Sequence, residues 1–145
     1  MASANIYLNF NGNCEEAFTF YKSVFGGEFP YIGRFGDMPA SENYQVPESD
    51  VQKIMHVSLP IGDGTSIMGS DTGAQWAPGF VQGNNFSVSV NASSKEEAEK
   101  LFTGLSDGGK VTMPLSKTFW SEYFGMFTDK FGIAWMVSFD GNMQK

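Results

Sequence analysis

The chain has little of the chemistry on which several protein classes depend. It contains one cysteine and one histidine among 145 residues, and nine basic side chains against 16 acidic ones. A lone cysteine forms no internal disulfide, which is typical of a reducing compartment and predicts a cytoplasmic protein. Phosphate binding needs clustered lysine and arginine, so few scattered cations and a net charge of -7 argue against nucleic acid as a partner.

No segment has the hydrophobic length of a membrane anchor. The longest apolar run, Ile133 to Val137, is far shorter than the ~20 residues that cross a bilayer. Met1 to Phe10 has neither a basic start nor an uninterrupted apolar stretch, so we do not expect a secretory signal. The sequence therefore predicts no membrane partner.

Aromatic side chains are abundant, by contrast, at 15% of the residues. With 41% hydrophobic residues and the length of one domain, residues 1–145 are expected to fold as a single domain that needs no metal or disulfide. Aromatic and methionine surface beyond what one core requires is typical of subunit interfaces. We therefore expect a homodimer.

Two parts of the sequence share one plan. A Glu-Glu-Ala triplet at residues 15–17 recurs at residues 96–98, and a glycine pair at 26–27 recurs at 108–109. Each triplet opens a stretch with apolar residues at helical spacing, and each glycine pair ends one. The chain therefore predicts two modules of similar structure.

The helix boundaries follow from these local signals. We predict helices over residues 14–25 and 95–106. Asn13 to Glu16 and Ser94 to Glu97 each place a capping side chain three residues before a carboxylate, which satisfies backbone N–H groups at a helix start.

Alternation of polar and apolar residues predicts the strands. In each half we expect a strand, a helix and then three strands, with module 1 at residues 1–75 and module 2 at residues 82–145. The predicted strands are residues 5–10, 54–61, 65–70, 85–91, 123–128 and 133–139. Tight turns join 54–61 to 65–70 and 123–128 to 133–139. Loops are predicted over residues 36–50, which are acidic, and 72–83, which include Trp76.

Several ordered motifs resemble those of one family. They are Asn13-x-Glu-Glu-Ala-x-x-Phe20-Tyr21, Lys53-Ile54-Met55-His56-Val57, Ile67-Met68-Gly69-Ser70-Asp71, Gly83-Asn84-Asn85-Phe86, Phe119-Trp120 and Asp129-Lys130-Phe131-Gly132-Ile133-Ala134-Trp135. Over essentially its whole length, the chain resembles the glyoxalase and bleomycin-resistance (vicinal oxygen chelate) superfamily, and within it the PhnB-like group. The resemblance implies an α+β fold of two pseudo-symmetric βαβββ modules that form a curved, cup-shaped sheet with the helices outside. It also implies a homodimer.

The resemblance can be tested at the positions of the superfamily's metal ligands. Metal-dependent members place His or Glu on four strands, and the matching positions here hold Asn5, Met68, Asn85 and Met136. Two amides and two thioethers are poor ligands for a hard divalent cation. We therefore expect no metal and no other cofactor. Some group members carry a 3-demethylubiquinone methyltransferase label, but no Gly-x-Gly-x-Gly loop follows a strand here to receive a nucleoside cofactor.

The leading functional hypothesis is a metal-free, small-molecule-binding PhnB-like protein whose reaction and ligand are unassigned. The alternative is a metal-dependent lyase, dioxygenase or isomerase of the same superfamily. No catalytic residue is assigned, and whether the protein is an enzyme stays open. The ligand site is predicted on the concave face that holds Tyr7, Asn9, His56, Ser58, Asn85, Ser87 and Trp120.

Two of these residues have simpler interpretations. His56 alternates along its strand with Met55, Val57 and Leu59, so we expect it on the opposite face, toward the cup. There it either acts as a general base or hydrogen-bond donor to a ligand, or forms a hydrogen bond with one of three serines. These serines are Ser58, Ser87 and Ser89. Trp120 and its neighbours Phe119, Tyr123 and Phe124 either stack on a planar ligand or pack in a core or dimer seam.

Three further features are predicted to be structural. Cys14 lacks a nearby activating base, so we expect a buried cysteine at a helix start. Asp129-Lys130-Phe131-Gly132 pairs an acidic with a basic residue, as a catalytic dyad does, but we expect this segment to be a structural turn. Asp71, Asp63 and Glu122 lack the spacing of a known oxygen-ligand site.

Overall fold

The computed structural model describes residues 2–37, 46–62, 64–72 and 79–141. The predicted acidic loop lies partly outside the described residues, and Asp63 and Trp76 lie wholly outside them. The elements are β1 (Ile6–Phe10), α1 (Cys14–Phe25), β2 (Tyr31–Arg34), β3 (Ile54–Gly62), β4 (Thr65–Asp71), β5 (Val88–Asn91), α2 (Lys95–Ser106), β6 (Lys110–Ser116), β7 (Tyr123–Thr128) and β8 (Ala134–Phe139). The α+β fold with two βαβββ modules and both predicted helices are thus confirmed.

The chain divides into two compact units, Met1–Val81 and Gln82–Lys145. In the first unit the strand order is β1-β4-β3-β2, with β1 parallel to β4 and the other neighbours antiparallel. One face of this sheet and one side of α1 form the core because apolar residues alternate along the strands and recur at helical spacing along α1. The fully buried members include Leu8, Ala17, Phe18, Tyr21, Val57, Leu59 and Ile67.

The second unit repeats this arrangement. Its strand order is β5-β8-β7-β6, with β5 parallel to β8. The buried side chains of α2 and the sheet include Val88, Ala98, Leu101, Phe102, Leu105, Phe127, Trp135 and Val137. No helix in the described parts of the chain is long and apolar enough to cross a membrane.

The N-terminus of α1 is capped by a distant residue, so the prediction that Asn13 caps it is wrong. The Asn13 side chain makes no capping hydrogen bond. Instead Asp71 Oδ1 accepts hydrogen bonds from the backbone N–H groups of Gly12 (3.0 Å) and Cys14 (2.9 Å), and Oδ2 accepts from Ile54 (2.9 Å). A carboxylate at this end satisfies orphan N–H groups and also opposes the positive end of the helix dipole, which an amide does not.

The N-terminus of α2 is capped locally. Ser94 Oγ accepts a hydrogen bond from the Glu97 N–H (3.0 Å), as predicted. The Glu97 carboxylate accepts from the backbone and side chain of Ser93, one residue before the position that a capping box uses.

Two details of the strand predictions are wrong. The fifth strand begins at Val88, opposite Trp135 of β8, and not at residue 85. Phe86 is consequently 51% exposed. In β3 a register shift opposite Arg34 makes Ile54, rather than Met55, the buried residue in line with Val57.

Candidate functional site

The first sheet has a second face that α1 does not cover. Because Leu8, Val57 and Ile67 point into the core, the residues that alternate with them along the strands point the other way. The structure places four of the predicted site residues, Tyr7, Asn9, His56 and Ser58, on this face together with Met68 and Ser70. We call it the open face.

His56 is held at the centre of an aromatic cluster on the open face. A 3.1 Å hydrogen bond joins the Tyr7 hydroxyl and His56 Nδ1, and the two ring centroids are 5.6 Å apart. The ring of Tyr31 lies on β2 with its centroid 5.8 Å from the imidazole. The hydrogen-bond partner is thus Tyr7, which reaches diagonally across β4 from β1, and not one of the predicted serines.

Tyr31 also belongs to this cluster, although it was not among the residues predicted for the site. In the sheet register Tyr31 lies opposite Ser58, and Gly33 lies opposite His56. A Cβ atom added at Gly33 would lie 2.6 Å from the Tyr31 hydroxyl and 3.0 Å from its Cζ, so the ring lies directly over this glycine. The available signal was a tyrosine two positions before a glycine on a strand, which puts both on one face.

The cluster remains accessible although it is ordered by contacts on both sides. Tyr7 is 43% exposed and Tyr31 is 49% exposed, and the imidazole between them is half-buried. The open face therefore presents an imidazole, two aromatic walls and the hydroxyl of Ser58 to its surroundings.

The remaining predicted site residues lie in the second unit. Asn85 and Ser87 are exposed in the segment that precedes β5. Trp120 is half-buried between Phe119, at 4.7 Å between ring centroids, and Phe124, at 5.4 Å, with edge-to-face geometry in both pairs. These contacts favour packing among neighbours as the structural role of Trp120, and a ligand contact there stays a prediction.

The other aromatic residues near Trp120 have different surroundings. The Tyr123 hydroxyl donates a 3.0 Å hydrogen bond to Glu99 of α2, which raises the pKa of Tyr123. Phe119 is 91% exposed and is therefore not a core residue. Ser121, which is fully buried, donates to the carbonyl oxygens of Tyr123 and Phe139 and so fixes the turn that carries these rings.

Asp129 has the structural role that we predicted. It is 3% exposed; Oδ1 accepts hydrogen bonds from the backbone N–H groups of Phe131 and Ile133, and Oδ2 accepts from the Trp135 indole (2.9 Å). Lys130 lies over the Phe131 ring, 5.6 Å from its centroid. The carboxylate closes the β7–β8 turn.

Cys14 is also structural. The residue is fully buried at the start of α1. Burial, and then the negative charges of Asp71 and Glu15, raise the pKa of its thiol. A thiol that stays protonated is a weak nucleophile, so Cys14 contributes packing and not chemistry.

Comparison with known proteins decides the family. Residues 2–138 match the model of the family described as 3-demethylubiquinone-9 3-methyltransferase. The chain belongs to this family. It is 35% identical over 141 residues to protein YjdN of Escherichia coli K12, with 91% of each chain covered.

Solved structures agree with this assignment. Protein PA1353 of Pseudomonas aeruginosa is 43% identical over 97% of this chain and 98% of its own, with a TM-score of 0.81. A PhnB protein from Bacillus cereus is 25% identical over 95% of this chain and 99% of its own, with a TM-score of 0.72. A glyoxalase/bleomycin-resistance domain from Frankia, 13% identical over 98% of this chain and 93% of its own, shares the fold with a TM-score of 0.65. The PhnB-like assignment is thus confirmed, and the fold is that of the glyoxalase/bleomycin-resistance domain.

The residues of this PhnB-like chain do not fit a divalent metal. Of the four positions that correspond to ligands in metal-dependent members, Met68 and Met136 lie on strands, and Asn5 and Asn85 are exposed beside strands. In the described ranges no three His, Cys, Asp or Glu side chains group closely enough to hold a metal ion. Both oxygens of Asp71 already accept backbone hydrogen bonds. Thioethers and amides do not replace imidazole and carboxylate ligands for a hard cation.

The strand-to-helix turn of the first unit does not fit the phosphate of a nucleotide cofactor either. Nucleotide-binding turns leave the first N–H groups of the helix free to meet an anion. Here Asp71 accepts the hydrogen bonds of Gly12 and Cys14 at that position. The negative carboxylate also repels a second anion.

Proposed function

We propose that this PhnB-like protein binds a small molecule on its open face and holds no metal there. The observation that carries the proposal is the position of His56, between two half-exposed tyrosine rings and hydrogen-bonded to one of them. Small-molecule sites commonly combine aromatic walls with a few convergent polar groups. No reaction is assigned, since the imidazole is oriented by a phenol and not by a carboxylate that would activate it as a base.

The experiment uses the fact that the chain has one histidine. Its Cε1–H NMR signal therefore reports on His56 without further assignment. We expect a saturable shift of that signal on titration with at least one of three probes, namely acetophenone, benzoate and phenol. If none of the three moves the signal, the proposed site is wrong.

A substitution separates binding from folding. His56→Phe should weaken binding of the active probe while changing the free energy of unfolding by only about 0.5 kcal/mol, because the residue is half-exposed on a sheet surface. Tyr123→Phe is the matched control, since that hydroxyl bonds to α2 in the other unit. Calorimetric titration measures the affinity of both proteins, because the variant lacks the histidine signal, and equal affinity in wild type and His56→Phe would contradict the proposal.

The absence of a metal is part of the proposal and has its own measurement. Elemental analysis of untagged protein is expected to find much less than one divalent ion per chain, and a chelator is expected to leave the melting temperature unchanged. A stoichiometric ion bound by the open face would restore the metal-dependent enzyme as the better hypothesis.

We further propose a homodimer in the cytoplasm. Large apolar side chains are exposed in the described part of the chain, among them Val81, Phe86 and Phe119, and such surface commonly lies in subunit interfaces. Sedimentation at micromolar concentration tests the dimer, and a monomer there would count against it. The single cysteine favours a reducing compartment, and cell fractionation tests that location.

A further inference from the structure

We propose that Gly33 is a positioning residue for Tyr31, and that the site binds planar molecules through a hydrogen-bond acceptor that meets His56 Nε2–H. This inference rests on the proposed function, because it names the ligand class of the same open face. It is carried by the close approach of Tyr31 to Gly33 and by the hydrogen bond of Tyr7.

The position of the Tyr31 ring depends on Gly33. Tyr31 and Gly33 are two residues apart on β2 and share the open face, and Gly33 pairs with His56. With no side chain at Gly33 the ring folds down along the strand and comes beside the imidazole. Any Cβ at this position would come within 2.6 Å of the ring's hydroxyl and 3.1 Å of Cε1. The contact is with the free end of a side chain, so the ring and not the backbone would move.

The hydrogen bond of Tyr7 determines which nitrogen of the neutral His56 ring carries the proton. A phenol hydroxyl is a good hydrogen-bond donor and a poor acceptor, whereas an unprotonated imidazole nitrogen is a good acceptor. The Tyr7 hydroxyl, 3.1 Å from Nδ1, therefore donates to it. In the neutral ring the proton then lies on Nε2, since the bond at one nitrogen sets the tautomer. A ligand at this nitrogen must supply an acceptor.

The charged side chains of the first sheet restrict the ligand class further. The strands β1, β2, β3 and β4 contain one lysine or arginine, Arg34. Its guanidinium donates two hydrogen bonds to Glu15 of α1, at 2.9 and 2.7 Å, and one to the Gln52 carbonyl oxygen. It is thus engaged away from His56, so these strands place no lysine or arginine on the open face to balance the charge of an anionic ligand. The ligand class is therefore a planar molecule with a neutral acceptor such as a ketone or amide carbonyl.

The experiment begins with the free protein. Nitrogen NMR of the single histidine is expected to show protonated Nε2 and unprotonated Nδ1. Gly33→Ala is expected to shift the His56 Cε1–H signal because the neighbouring ring moves. Gly79→Ala is the matched control, since a Cβ there meets nothing within 4 Å. An unprotonated Nε2 overturns the assigned tautomer of His56. A His56 signal that shifts no more in Gly33→Ala than in Gly79→Ala overturns the positioning role of Gly33.

Affinity measurements then test the ligand class. Acetophenone is expected to bind more tightly than cyclohexyl methyl ketone, which is not planar, and more tightly than aniline, which offers mainly a donor. Tyr31→Leu and Gly33→Ala should each weaken acetophenone binding by about two- to tenfold, the usual value of one aromatic contact. The double variant should lose no more than Tyr31→Leu alone, because Gly33 acts only through that ring.

The outcomes distinguish this inference from the proposed function. Losses that add in the double variant, or aniline binding as tightly as acetophenone, overturn the inference while leaving a binding site in place. If acetophenone, benzoate and phenol all fail to move the His56 signal, the proposed function and the ligand class both fail. The free-protein spectra still decide whether Gly33 positions Tyr31.

Discussion

Replacing Asp71 with alanine should severely destabilise the first unit. Asp71 is 4% exposed, and its carboxylate links the start of α1 with the start of β3. The substitution leaves the N–H groups of Cys14 and Ile54 buried without an acceptor. Each such group costs about 1–3 kcal/mol, so the free energy of unfolding should fall by about 2–6 kcal/mol. A domain has only about 5–15 kcal/mol in total.

Urea denaturation followed by circular dichroism measures this loss. The stability of Asp71→Asn should lie between those of Asp71→Ala and wild type. The asparagine oxygen can still accept hydrogen bonds where one carboxylate oxygen did, but its NH₂ group meets a backbone N–H where the other did. Asp37→Asn is the control: this exposed carboxylate accepts one hydrogen bond, from the Arg34 N–H at 2.9 Å, and should change stability by about 0.5 kcal/mol or less. If Asp71→Ala is no less stable than this control, the capping role of Asp71 is refuted.

Three more predictions follow from single contacts. Burial raises the pKa of Cys14, so a colorimetric disulfide reagent should modify its thiol no faster than the protein unfolds in urea. Rapid modification of the native protein would contradict this prediction. Gly69→Ala should lower the free energy of unfolding by about 1–3 kcal/mol, because the added Cβ would lie 2.7 Å from both the Leu8 carbonyl oxygen and the Phe18 ring. Thermal melting measures this loss, and an unchanged melting temperature would show that the two neighbours move apart freely. The hydrogen bond from Arg34 lowers the pKa of Glu15. The ion pair therefore stabilises the fold at pH values above the ordinary carboxyl pKa of about 4.3. This stabilisation is lost as the pH falls through the lowered pKa of Glu15. Glu15→Gln should therefore lose at most about 1 kcal/mol at neutral pH and nothing in strong acid, and a deficit that persists in acid would assign the effect to packing.

The sequence by itself determined the features that depend on short-range interactions. Both helices begin and end at the predicted residues, Cys14–Phe25 and Lys95–Ser106, although of the two predicted cap side chains only Ser94 makes the capping hydrogen bond. The repeated plan predicted two βαβββ modules, and strand alternation put Tyr7 and His56 on one face. Each signal lies within about one turn or one strand of the residues that it describes, which is why it can be read without knowing the neighbours.

Only the tertiary structure decided which distant groups meet. Nothing near Asn13 in the sequence indicates that Asp71 caps α1, because the cap depends on β4 ending beside that helix. The place of Tyr31 beside His56 likewise depends on the register between β2 and β3, and on a glycine that leaves space for the ring. A shift of one residue in that register would turn the tyrosine to the other face of the sheet. Register is set by the packing of the whole unit, and so the aromatic site follows from long-range contacts that no local pattern encodes.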